Sequence, residues 1–265
     1  MSDSDLVGRY VTVQDTRTYV ETAGSEDDPA IVAIHTAGAD GRQWRHVAPP
    51  LVDAGYRLVV PDLPGHGKSY PVDWEPHDTI HQHAEFVLDL VRELGLDAPA
   101  VMGCSIGGDT ALDLAVEHPD AFRCALAFEG AGRTRGAQLG RLSHPHALPG
   151  WQNVLEYSVV DSTAKSVPDA ARRELVWQHR SAHEVGTNDL QGWADHDVSD
   201  RLDEATLPVL LVRGTEDFYI QDDVFEETIA GLPDCTPVTM EETGHYPMME
   251  RPDETASLVV EFLEE

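Results

Sequence analysis

The chain has 265 residues, of which 41% are apolar: enough to bury a sizeable core, and too many for global disorder. Its 48 acidic and 18 basic residues give a net charge of −30, which excludes a nucleic-acid backbone or an anionic membrane surface as partner. No apolar run reaches the roughly 18 residues of a membrane span, the acidic N-terminus lacks a signal-peptide layout, and three cysteines make no disulfide framework, so a cytoplasmic protein is expected.

In chain order, Tyr10-Val11-Thr12-Val13 and Thr18-Tyr19-Val20-Glu21-Thr22 alternate in polarity and predict an N-terminal hairpin. Short apolar runs follow at 30–35, 56–61, 100–104, 124–128 and 209–212, with a last strand-like stretch at 237–240. Runs this short, and apolar throughout, fit parallel strands buried on both faces. Residues 44–54, 79–94 and 106–118 carry helical spacing, and a closing helix is predicted over 252–263. Strands alternating with helices predict an α/β fold with a mostly parallel central sheet. Residues 133–202 break the rhythm, with no strand-like run and three tryptophans. A helical lid inserted between core segments 1–132 and 203–265 is expected. A second independent domain is disfavoured, because the stretch is short and bracketed by strands.

The strongest chemical signal is Gly103-Cys104-Ser105-Ile106-Gly107-Gly108, between a strand-like run and a helical one. A serine on so sharp a turn projects its hydroxyl from the sheet, beside a helix N-terminus that favours a developing anion. A serine nucleophile needs a base. His245, in a Thr243-Gly244-His245-Tyr246-Pro247 loop after the 237–240 strand, stands where sites of open α/β sheets are built. The base needs an orienting carboxylate, and two compete: Asp217 after the 209–212 strand, and Glu129 closing the 124–128 strand. Burying either unpaired is unfavourable, so neither is idle. The Ile106 N–H supplies one oxyanion donor, and Ala37 in His35-Thr36-Ala37-Gly38 the second, with Thr36 and Gly38 as alternatives in the same loop.

Together with Asp62-Leu63-Pro64-Gly65-His66-Gly67-Lys68-Ser69 and the Gly214-x-x-Asp217 loop, these motifs resemble the α/β-hydrolase superfamily, in its order, over nearly the whole chain. Many members have His-Gly after the third strand, where this chain has His35-Thr36. The Gly-Cys-Ser-x-Gly turn and the placing of Glu129 are similar to the zearalenone lactonases, as are Pro149-Gly150-Trp151-Gln152 and Trp177-Gln178-His179-Arg180. That resemblance implies a resorcylic macrolactone as substrate and Glu129 as orienter. Asp217, in the superfamily's common acid position, argues the other way.

The expected function is a serine hydrolase of a carboxylic ester or lactone, acting through an acyl-enzyme without metal or cofactor. A carbon–carbon bond hydrolase or a perhydrolase uses the same triad, and a non-catalytic receptor is the rival from another class. Trp44, Trp151, Trp177 and Trp193 are candidates for an apolar pocket, with core packing the competing account. His66 reads as structural and Cys104 as a small buried filler. His144, His146, His179 and His183 lack the fixed-spacing carboxylate or cysteine of a zinc site. A homo-oligomer is compatible with the composition. Only Lys68 and Lys165 are lysines, and acid excess with so little lysine resembles proteins of high-salt interiors, where the Debye length is about 3 Å at 1 M. A GC-rich genome is the competing explanation.

Overall fold

The computed structural model describes residues 6–134, 150–181 and 183–265, without the side chain of His183. Eight strands form one sheet in the order β1-β2-β4-β3-β5-β6-β7-β8. β1 (Val7–Val13) and β2 (Thr16–Ala23) make the antiparallel hairpin, and β2 joins β4 (Arg57–Pro61) antiparallel. From β4 the ladder is parallel through β3 (Ala30–Ile34), β5 (Ala100–Cys104), β6 (Cys124–Phe128), β7 (Val209–Gly214) and β8 (Cys235–Met240). β4, β5 and β6 are buried along their whole length; β5 and β6 are the uninterrupted apolar runs expected when both faces are covered, while β4 opens on a buried Arg57.

Helices α1 (Ala48–Asp53), α2 (Ile80–Glu93), α3 (Ile106–Glu117), α7 (Asp222–Gly231), α8 (Pro247–Glu250) and α9 (Pro252–Glu264) lie among the strand connections. α2 starts at a capping box, in which the Thr79 hydroxyl accepts from the Gln82 N–H while the Gln82 side chain reaches back to the Thr79 N–H. The helix expected over 44–54 is instead a 3₁₀ turn at Gly41–Trp44 followed by α1. Pro49 and Pro50 explain the break, since neither has an N–H to carry a helix through from residue 44. Between β6 and β7 the described chain holds α4 (Trp151–Asp161), α5 (Asp169–Gln178) and α6 (His183–Asp195), then a 3₁₀ turn at Ser199–Glu204. Among the described residues, no helix is long and apolar enough to cross a membrane.

The order of the sheet positions the site. After β3 the chain crosses outward to β4, then returns past β3 to β5. A crevice opens where the crossing direction reverses, beyond the carboxyl ends of β3 and β5. The loops leaving those two ends carry Thr36-Ala37-Gly38 and Ser105.

Candidate active site

Ser105 sits at the N-terminus of α3 with φ 58° and ψ −122°, a strained backbone for any residue other than glycine. Its N–H donates to the Phe128 carbonyl at 2.9 Å, which ties the turn to β6. The glycines on either side are required by space. A Cβ on Gly103 would lie 2.2 Å from the Gly107 carbonyl oxygen, and one on Gly107 would lie 2.5 Å from that of Ile34. Cys104 is fully buried, and its thiol donates to the His245 carbonyl at 3.3 Å.

Ser105 and His245 both line a cavity that encloses, with its open mouth, about 490 Å³. Its other walls are Thr36 and Ala37 from the β3 loop, Ile106, and side chains of α4 to α6, with Tyr219 and Tyr246 from the acid and histidine loops. Among the described residues, neither the Ala37 nor the Ile106 N–H has an internal acceptor. For Ile106 this follows from its place as first residue of α3, where helix N–H groups are unpaired.

His245 Nδ1 donates to Asp217 Oδ2 at 2.9 Å. Asp217 Oδ1 accepts from the Tyr219 N–H at 2.7 Å. Burial works against the charge on Asp217, but His245 and its hydrogen bonds outweigh burial and hold the carboxyl down to about 2. Glu129 is placed differently. Its backbone is left-handed (φ 47°) and its Oε1 accepts from the Gly214 N–H at 2.6 Å. Complete burial, then the neighbouring Asp217 charge, push its carboxyl well above the carboxylate range. Its other carboxyl oxygen, Oε2, is buried with no hydrogen-bond partner among the described residues. The structure brings Glu129, Asp217 and His245 together, their polar atoms within 4.8 Å of one another, with Asp217 as the one hydrogen-bonded to the imidazole.

The loop carrying His245 is held by a residue that sequence reasoning passed over. Buried Glu250 on α8 accepts from the N–H groups of Gly244 (3.0 Å) and Tyr246 (2.9 Å), either side of His245, and from that of Ala164 (2.9 Å). The His245 N–H itself donates to the Ser162 carbonyl at 2.9 Å. With 48 acids in the chain, composition gives no reason to single out Glu250; its position five residues after a candidate base is the available clue.

The tryptophans divide. Trp193 lines the cavity and meets Tyr219 edge-on at 6.0 Å. Trp177 does not line it: the ring is 65% exposed and stacked by Arg180, because it projects from the outer face of α5. Trp151 is buried between helices, its Nε1 donating to Thr187 at 3.1 Å, and Trp44 lies in the core against Phe128. Gly38 is also outside the lining, its N–H turned to Asp189 at 2.8 Å. Lining residues that sequence reasoning missed include Leu155, Val159, His179 and Leu190. His179 has both ring nitrogens engaged, by the Leu175 carbonyl and the Thr36 hydroxyl. His144 and His146, and the side chain of His183, lie outside the described residues.

Comparison with known proteins bears on this arrangement. A 2-hydroxy-6-oxononadienedioate/2-hydroxy-6-oxononatrienedioate hydrolase of Pseudomonas sp is 27% identical, covering 92% of this chain and 91% of its own. A 2-hydroxy-6-oxo-6-phenylhexa-2,4-dienoate hydrolase of Comamonas testosteroni is 26% identical, covering 88% of this chain and 87% of its own. Among solved structures, the enol-lactonase from Burkholderia xenovorans superposes with a TM-score of 0.86 at 22% identity, over 97% of this chain and 100% of that one, a likeness of fold. The model of the alpha/beta hydrolase family matches residues 31–258, from β3 to α9, and this chain therefore belongs to that family.

Proposed function

We propose that the protein is a serine hydrolase that opens a carboxylic ester or lactone through an acyl-enzyme on Ser105. The observation that carries this reading is the hydrogen-bonded His245–Asp217 pair sharing one cavity with a serine on a strained turn at a helix N-terminus. In this reading the Ser105 oxygen attacks the carbonyl carbon while His245 takes the hydroxyl proton at Nε2. Asp217 faces the imidazolium at Nδ1 and stays ionised, consistent with its depressed titration. The negative oxygen of the tetrahedral intermediate rests on the Ala37 and Ile106 N–H groups, donors that need no reorganisation as charge develops. The imidazolium returns its proton to the leaving alcohol. A water deprotonated by His245 then releases the acid and frees the serine. This chemistry needs no cofactor.

A second reading rests on the relatives. A compound named as a 2-hydroxy-6-oxo-dienoate has a ketone and a carboxylate but no ester, so its hydrolysis breaks a carbon–carbon bond. The same serine, base and oxyanion donors serve that reaction. The lining favours the ester or lactone: among the described residues it offers no Arg or Lys to hold a substrate carboxylate, and its walls are mostly apolar.

A hydrolysis panel separates the two. It comprises p-nitrophenyl esters, small lactones, a resorcylic macrolactone and a 2-hydroxy-6-oxo-dienoate, run in low and molar salt. The ester and lactone reading expects turnover of uncharged acyl compounds, with kcat/KM above that of the dienoate. Turnover of the dienoate alone moves the protein to the second reading, and turnover of none by folded protein favours a receptor.

A further inference from the structure

The loop carrying Ala37 is gripped on both sides by the helices between β6 and β7. On one side, His179 at the end of α5 donates from Nδ1 to the Leu175 carbonyl at 2.7 Å. That fixes its tautomer, so Nε2 is an acceptor, and it faces the Thr36 hydroxyl at 3.1 Å, which also lies 3.1 Å from Gln43 Oε1. Burial of this ring lowers its titration to about 4, so it remains neutral. On the other side, Asp189 of α6 accepts the Gly38 N–H at 2.8 Å. Asp189 is itself clamped: Oδ2 also accepts from His66 at 2.7 Å, and Oδ1 faces His83 at 3.3 Å. All four side chains are buried. From within the core, Gln43 adds only the Thr36 contacts, accepting its N–H at 3.0 Å and donating to its hydroxyl. Gly38, with φ +64°, is bonded through its N–H to Asp189 alone. Ala37, between the two grips, lines the cavity, and among the described residues its N–H has no internal acceptor.

We propose that Asp189 and His179 are positioning residues for the oxyanion donor: they set the Ala37 N–H from the helices between β6 and β7, so that the hole is complete only with α5 and α6 seated on the core. The inference rests on the serine-hydrolase reading above. It explains how a loop with Thr36, rather than glycine, after His35 keeps its shape: the hydroxyl is a handle for α5.

The test reads the chemical step and binding separately. Wild type, Asp189→Ala, Asp189→Asn, His179→Ala and Ser105→Ala, each checked for folding by circular dichroism and melting, are given an aryl ester and an aryl fluorophosphonate. In the latter reaction Ser105 displaces fluoride from phosphorus, and the phosphoryl oxygen needs the same N–H donors. Asp189→Ala and His179→Ala should lower kcat and the phosphonylation rate by about 10²-fold, the usual effect of an ångström-scale misplacement, with KM within about threefold. Asp189→Asn keeps an acceptor for the Gly38 N–H and should recover most of the loss. Should Asp189→Ala not fold, His179→Ala carries the test: its ring is bonded to the loop hydroxyl and its own helix and meets Tyr246 edge-on at 5.4 Å, and a change confined to KM would mark lost cavity packing instead. Folded variants that react at the wild-type rate, or that change only KM, overturn the inference. So does an Asp189→Asn as slow as Asp189→Ala, which assigns the effect to the His66 pair. Wild type that leaves Ser105 unlabelled overturns the hydrolase reading and this inference with it, an outcome read before any variant is compared.

Discussion

Two carboxyls reach the same corner of the sheet, yet their surroundings push their titrations in opposite directions, Asp217 down and Glu129 up. Asp217 has the imidazole and the Tyr219 N–H to satisfy its charge, whereas Glu129 has one N–H and a charged neighbour. The orienting acid stabilises the imidazolium, so Asp217→Asn should lower kcat by up to about 10⁴. Glu129→Gln, which retains an oxygen to accept the Gly214 N–H, should lose less than about tenfold. Steady-state rates on one ester, with both variants shown to be folded, decide the matter. A crippled Glu129→Gln beside an active Asp217→Asn reverses the assignment and returns weight to the macrolactone resemblance. Sequence narrowed the acid to these two because both close apolar strands. It could not rank them, since Glu129 owes its orientation to a left-handed backbone and a bond to Gly214, 85 residues away.

At the scale of elements, the strands were legible because burial on both faces leaves an unbroken apolar run, and β5 and β6 fall where such runs predict them. The helices between β6 and β7 were less so. Their inner positions are set by polar ties such as His66 to Asp189, for which periodicity carries no signal. Both nitrogens of His66 face acceptors, the Pro64 carbonyl at 3.1 Å and Asp189 at 2.7 Å, so the ring is the imidazolium. Burial disfavours that charge, but the Asp189 carboxylate outweighs it and raises the ring's titration above 6.5. A raised histidine contributes its full stabilisation below the unfolded value and loses it as pH climbs through the folded one. His66→Asn should therefore destabilise by about 3 kcal/mol near pH 6, with the gap to wild type narrowing toward pH 9. Urea unfolding at both pH values measures it, and a gap of constant size would contradict the charged pair.

The whole molecule carries −30 charges, its 48 acidic residues outnumbering 18 basic ones. We propose that the fold works best in salt. The melting temperature should climb in sodium chloride between about 0.1 and 1 M, as the Debye length falls from roughly 10 to 3 Å. A flat or falling melting point leaves genome composition as the account of the missing lysines. Neither composition nor fold, however, fixes the reaction; that rests on one hydroxyl on one turn. The most direct test of the central claim is ester hydrolysis by Ser105→Ala, with its fold checked by circular dichroism. The rate should fall at least about 10³-fold below wild type. A folded variant that keeps more than about a tenth of the wild-type rate would contradict it.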